Sequence, residues 1–347
     1  MWLTSSSIGR KFVMAITGTC LVLFLTFHVA MNAVALLWPT AYNSICQFLG
    51  ANWYALVASM GLAVLFILHI IYALWLTVQN RRARGGDAYR IAGRTPQVEW
   101  SSKNMLVLGI VVLAFLVVHL IQFWAKMQLA EIVSHDPASW STVDGAPAAP
   151  EFGTLYLQLA FQCIWTPIVY IVGFVALWFH MNHGIWSMFQ SYGLNNKIWM
   201  GRLRHLAVWW SSIVVALFIL QAVVFTVRAR QNYYTTDQAL QEQYGEFWAE
   251  RAEALNESFT DTFAKAVKAA PEGSDRNRVL AEFFTQPVCE NFVKDAKAIA
   301  EAAGKQCPDV VIPSVETLAQ AATEVEGSIE YAKSVMAVSY THLRAHE

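Results

Sequence analysis

The chain has 347 residues, of which 56% are hydrophobic, 13% aromatic and only 14% charged, against about 25% charged in an ordinary soluble domain. Long apolar stretches with so little charge exclude a soluble globular enzyme and place the chain among integral membrane proteins. The net charge of −1 conceals two regions, since Met1 to Asn232 carries 14 Lys and Arg against 6 Asp and Glu, whereas Tyr233 to Met336 carries 9 against 18.

Five stretches are long enough to span a bilayer, at roughly 12–38, 53–79, 105–129, 154–190 and 205–227, given the need for about 20 apolar residues per span. The fourth exceeds that length and is expected to tilt or project. Trp38, Trp53, Tyr54, Trp199, Trp209 and Trp210 sit near segment ends, as interfacial aromatic belts do. Arg10 and Lys11 precede the first apolar stretch, which reads as a first span and not as a cleaved leader. The basic residues Arg10, Lys11, Arg81, Arg82, Arg84, Arg90, Arg94, Lys103, Lys197, Arg202 and Arg204 all fall on one side of that topology. The loop from Ala130 to Gly153 has no Lys or Arg and carries Glu131, Asp136, Asp144 and Glu151. The positive-inside rule puts the N-terminus and the 80–104 loop in the cytoplasm and the C-terminal region outside. Arg228 and Arg230 run against this pattern, within a much larger asymmetry.

After Asn232, an apolar stripe of Tyr244, Trp248, Leu255, Phe259, Phe263 and Val267 predicts an amphipathic helix over 238–269. Pro271, Pro287, Gly304, Pro308 and Pro313 punctuate shorter helices beyond it. The expected fold is therefore an all-α membrane protein, a five-transmembrane-helix bundle over 1–232 followed by an acidic helical periplasmic extension over 233–336. Residues 337–347 (AVSYTHLRAHE) break the acidic character and resemble translated sequencing adaptor, so His342 and His346 are set aside as non-native. The five cysteines form no CxxC and no CxxCH, which argues against covalent c-type haem. Cys20 and Cys163 read as apolar packing residues. Cys289 and Cys307 share the extension, where an oxidising compartment would permit a disulfide.

The chemistry is carried by four histidines, His28, His69, His119 and His180, one in each of the first four apolar segments and none in the core of the fifth. A polar, ionisable group within a span is costly and is by default functional. Depth follows from the helical rise: His28 lies 17 residues past Lys11 and His119 16 past Lys103, each about 25 Å. His69 lies 12 residues before Arg81, about 18 Å, and the overlong fourth segment brings His180 toward the same half. The expected pairs are His28 with His119 near the outer side and His69 with His180 near the cytoplasmic side, each able to clamp a metal cofactor between two helices. Gly173 and Gly184 flank His180 on nearly the same face and offer room for a flat macrocycle. His183 competes locally with His180, His205 reads as interfacial and His135 as solvated.

SSSIGRKFVMAITG before His28, FILHIIYALW around His69, VVHLIQFW around His119 and FHMNHGIWSMFQSYG around His180 resemble the dihaem cytochrome b membrane anchor of succinate:quinone oxidoreductases, over about residues 5–230. In that family the fourth-segment ligand is followed four residues later by Gly and then by an aromatic residue, here Gly184 and Trp186, which selects His180 over His183. The resemblance implies two b haems with His28, His119, His69 and His180 as axial ligands and Gly184 against a haem. It also implies a quinone, expected to be menaquinone, and flavoprotein and iron–sulfur subunits docked on the cytoplasmic face of a bacterial inner membrane. Electron transfer would be this subunit's role, the dicarboxylate chemistry belonging to the flavoprotein. Arg10, Arg81, Arg90, Arg94, Arg202 and Arg204 are candidates for haem propionates or the iron–sulfur partner. Trp178 stands two before His180, where some relatives place an acidic residue for proton movement, and no Asp or Glu lies in a span. Asn43, Gln47 and Asn52 are weak quinone-site candidates. Two other readings are a cytochrome b subunit of a hydrogenase or formate dehydrogenase, and a transporter with structural histidines. The extension is expected to shield an outer quinol site or to meet a partner.

Overall fold

The computed structural model describes residues 6–50, 52–84, 100–134, 136–194, 196–270 and 275–344. Five of the described helices are long and apolar enough to cross a membrane: α1 (Ser7–Leu37), α3 (Trp53–Arg84), α4 (Met105–His119, continued by a π-helical turn at Leu120–Trp124), α6 (Trp165–Ser191) and α7 (Trp199–Arg230). The chain is thus an all-α, multi-pass membrane protein. Two further helices, α2 (Pro39–Gly50) and α5 (Gly153–Phe161), lie between these spans in sequence. The chain divides into two compact units, residues 1–140 with 149–234, and residues 141–148 with 235–347.

In the first unit α6 and α7 are the most buried of the five spans and α3 the most exposed. Helix α6 packs against α7, α1 and α4, and α1 against α3 and α7. The outward-facing residues of α3, such as Val64, Ile67, Ile71 and Leu74, are exposed and apolar, as lipid-solvated faces are. Ser6 caps α1 by accepting from the Gly9 N–H at 2.9 Å. At the other end of α1 the orphan carbonyls of Ala35 and Leu36 accept from the Arg228 guanidinium, both at 2.9 Å. A cation on a helix C-terminus both satisfies carbonyls and opposes the dipole, so Arg228 is present for α1 and not for topology. Gln221 donates to Val29 O and Gln158 to Ala229 O, both at 2.8 Å, which ties α7 to α1 and to α5.

The fourth apolar stretch is not one tilted span. It is α5, a break at Gln162–Ile164, and α6. Pro167 accounts for the break, because it has no N–H for the carbonyl of Cys163 and its ring displaces that carbonyl. Helix α5 is buried along its length, with Tyr156 and Gln158 fully so. Asn43 on α2 is fully buried and accepts from both the N–H and the hydroxyl of Thr154, at 3.0 and 2.8 Å. Its role is packing α2 on α5.

The second unit contains a two-stranded antiparallel hairpin, β1 (Thr142–Val143) and β2 (Ala146–Pro147). Asp144 and Gly145 form its turn with φ of 52° and 82°, the doubly left-handed geometry that an Asp-Gly pair favours. The amphipathic stretch 238–269 is α8 (Gln238–Ala269), capped by Asp237 accepting from the Leu240 N–H. It is followed by α9 (Asp275–Phe284), α10 (Pro287–Gln306) and α11 (Pro313–Arg344), so the backbone of residues 337–344 continues a helix. Leu240, Tyr244, Trp248 and Leu318 are fully buried between these helices, and Trp248 donates to Gln306 Oε1 at 2.6 Å. Gln306 in turn donates to Pro147 O of the hairpin, whose Val143, Ala146 and Ala148 are buried. Residues 141–148 therefore complete the core of a unit whose other residues all follow the last span.

Cys289 and Cys307 are separate, buried thiols and not a disulfide. Cys289 Sγ donates to Phe283 O. Burial pushes the Cys289 thiol up to about 11 and the Cys307 thiol up to about 12, since a thiolate is poorly solvated there. Both remain protonated below those values, and only the thiolate is nucleophilic. At pH 8 a maleimide is therefore expected to modify Cys289 and Cys307 at least about a hundredfold more slowly in the folded chain than after denaturation. Equal rates, read by mass spectrometry of tail peptides, would contradict this packing.

Candidate functional site

The four histidines meet as two pairs. The rings of His28 on α1 and His119 at the end of α4 have centroids 5.8 Å apart and planes at 85°. The rings of His69 on α3 and His180 on α6 are 6.3 Å apart with planes at 61°. Metal–imidazole bonds are about 2.0–2.1 Å, so two imidazoles sharing one metal would have ring centroids about 6 Å apart. Along α1 the first pair lies at His28 and the second beside Thr17, eleven residues lower, or about 16 Å.

Hydrogen bonding decides which ring nitrogen carries the proton. Thr17 Oγ1 lies 3.2 Å from His69 Nδ1 and 3.1 Å from the carbonyls of Val13 and Met14. A hydroxyl has one proton. Two hydrogen bonds form only if Thr17 donates to a carbonyl and accepts from the His69 Nδ1–H. The lone pair of His69 is then at Nε2. The same logic holds for His119, whose Nδ1 lies 3.1 Å from the Tyr170 hydroxyl, while that hydroxyl donates to Gln122 Oε1 at 2.9 Å. Tyr170 accepts from Nδ1–H, and the His119 lone pair is at Nε2. His28 Nε2 accepts from the Asn32 amide at 3.1 Å, and Asn32 Oδ1 accepts from the Tyr42 hydroxyl at 3.3 Å. In all three the lone pair is at Nε2 and Nδ1 carries the proton, and at His69 and His119 a hydrogen bond from Nδ1 also fixes the orientation of the ring. The Asn32 amide would have to yield Nε2 of His28 to a metal. His180 Nδ1 is buried without a hydrogen-bond partner.

The surroundings are aromatic and apolar. Phe24, Phe115, Phe123 and Phe218 have ring centroids 5.2 to 6.0 Å from His28 or His119. Gly18 and Gly109 face the other pair, where an added Cβ would sit 3.7 Å from His69 Cε1 and 3.6 Å from His180 Cε1. Alanine would just fit and anything longer would run into an imidazole. Gly173 does not offer the room expected of it, because the Phe115 ring fills that notch. A Cβ at Gly184 would make only an ordinary contact, 3.9 Å from Met105 Cε.

The remaining candidates separate cleanly. His183 packs edge-on against Trp186 at 4.8 Å and belongs to neither pair. His205 is exposed, and His135, Arg90 and Arg94 lie outside the described residues. Arg10, Arg202 and Arg204 lie over the rings of Trp75, Trp199 and Trp186 at 5.2, 5.3 and 4.6 Å, and Arg81 is exposed. Asn52 Oδ1 accepts from Tyr54 N–H at 2.9 Å and so caps α3, and Gln47 is exposed. Trp178 donates to Ser212 on α7 at 2.9 Å. Among the described residues no cluster of three or more His, Cys, Asp or Glu could hold a metal ion. Comparison with family models, curated proteins and solved structures finds no match.

Thr17, Tyr170, Gln122 and the π turn after His119 join the site only through the fold. A π turn within a span does flag functional positions, but nothing in the local sequence announces it. Thr17→Val is nearly isosteric and leaves the buried His69 Nδ1–H without an acceptor. It is expected to cost about 1–3 kcal/mol, read as a lower unfolding midpoint of the full chain in detergent. An unchanged midpoint would remove Thr17 from the network.

Proposed function

We propose that this chain is the dihaem cytochrome b anchor of a succinate:quinone oxidoreductase, carrying electrons between a membrane quinone and an iron–sulfur partner subunit. The observation that carries the proposal is the pair of imidazole pairs, each drawn from two helices, spaced as for a shared metal, with three of the four lone pairs assigned to Nε2. The residues fit the group: two donors per site suit a macrocycle that brings its own equatorial ligands, and Gly18 and Gly109 leave space beside the lower pair. Bound there, two b-type haems would supply one-electron carriers at two depths of the bilayer.

Everything else is the work of the chain. His28 and His119 would hold one haem, and His69 and His180 the other. With two imidazoles offered at each site, the residues would suit electron relay over oxygen chemistry. Thr17 and Tyr170 hold their imidazoles in one tautomer and orientation through Nδ1. The phenylalanine shell around His28 and His119 keeps water out and the local dielectric low, which sets the potential. Arg10 and Arg204, at the basic end of the bundle, suit haem propionates or the docking of the iron–sulfur subunit, with the flavoprotein beyond it. Menaquinone is the expected quinone, and the acidic C-terminal region lies on the outer face of a bacterial inner membrane.

A pyridine haemochrome assay and a reduced-minus-oxidised spectrum on the purified chain test this reading. Two b haems per chain are expected, with one lost in each of His28→Leu, His69→Leu, His119→Leu and His180→Leu. The double variant His28→Leu/His119→Leu should lose no more haem than either single one. Absence of haem in protein from haem-replete cells would discard the proposal.

A further inference from the structure

Two backbone irregularities face one another one turn from His119. Helix α4 widens into the π turn at Leu120–Trp124, where Ala125 N–H bonds to Leu120 O at 2.8 Å. The α5–α6 connection breaks at Gln162–Ile164. Irregular backbone at the membrane survives only where polar groups or a cavity accommodate it. Here Gln122 bridges the gap, donating to Thr166 Oγ1 at 3.2 Å and accepting from the Tyr170 hydroxyl at 2.9 Å. Gln122 is half-buried, while its neighbours Ile121, Ile164 and Trp165 are exposed at 59%, 54% and 68%. The Gln122 amide thus stands beside an outward-facing seam that is largely apolar, with Gln162 exposed in the break itself.

That amide has capacity to spare. Its oxygen has a second lone pair and its nitrogen a second proton. It can donate to a ring carbonyl or accept from a ring hydroxyl without releasing Thr166 or Tyr170. Such a group reads both the oxidised and the reduced form of a lipid-borne quinone. Trp165 offers a flat apolar surface at the depth where indoles and polar headgroups gather. A ring held by Gln122 would be linked to His119 through the Tyr170 hydroxyl alone.

We propose that the seam between the π turn and the α5–α6 break binds the headgroup of a quinone-class lipid, with Gln122 as its hydrogen-bonding contact, Trp165 as its apolar wall and Tyr170 as the positioning link to His119. This deepens the quinone-linked reading above and rests on it for the ligand class. It replaces Asn43, whose side-chain oxygen is committed to Thr154.

The test is equilibrium binding of 2,3-dimethyl-1,4-naphthoquinone to the full chain in lipid nanodiscs, with empty discs subtracted and haem content measured on the same samples. Gln122→Leu is expected to weaken binding at least tenfold, and Trp165→Ala, truncated at an exposed position that cannot unpack the bundle, at least threefold. Gln47→Leu on the exposed face of α2 should stay within twofold. No binding by the parent chain, unchanged binding in both the Gln122 and Trp165 variants, or loss in Gln47→Leu instead would overturn the site. Two haems with Gln122-independent binding would sink this site alone, whereas Gln122-dependent binding without haem would sink the cytochrome reading and leave the site standing.

Discussion

A polar side chain inside the apolar bundle has to find a partner on its own helix or on a neighbour, and the imidazoles of His69 and His119 find theirs on another helix. Within a span the backbone satisfies itself, so helix association comes from packing and from the few side chains that hydrogen-bond across. His119 reaches Tyr170 on α6, His69 reaches Thr17 on α1, and Gln221 reaches the backbone of α1. These bonds fix the rotation of each helix about its own axis. Once the rotations are fixed, His28 faces His119 and His69 faces His180, and the ring spacing follows.

The same demand explains the departures from regularity. Arg228 is misplaced by charge asymmetry but well placed against the carbonyls that end α1. Pro167 interrupts the fourth apolar stretch, and the interruption turns α5 into a buried helix that packs on α2 through Asn43 and Thr154. The π turn after His119 sits beside that interruption, where Gln122 and Thr166 take up the slack. The two imidazole pairs share this plan but differ in their surroundings. Phenylalanines crowd the pair at His28 and His119, while two glycines face the other. Different environments around like ligands are what would separate the potentials of two like cofactors.

In the second unit, an Asp-Gly turn closes a hairpin whose buried alanines and valine sit with helices contributed from nearly a hundred residues later. The dipeptide was a readable turn signal within the 130–153 loop. What it packed against was not readable, because a surface loop and a core strand of two residues have the same composition.

The sequence by itself determined the number of apolar spans, the amphipathic helix over 238–269, and the placing of one histidine in each of four spans, because these depend on hydropathy and helical rise alone, whereas the start of the fourth span at Trp165 did not follow from hydropathy. Even the grouping of the histidines followed from counting residues to the nearest basic end. Tertiary structure alone decided which ring nitrogen of His28, His69 and His119 carries the proton, that Phe115 and not open space fills the notch at Gly173, and that Cys289 and Cys307 lie apart as thiols. Those outcomes depend on contacts between residues such as Thr17 and His69, 52 positions apart, whose meeting is set by the rotation of one helix against another and leaves no periodic trace in the chain.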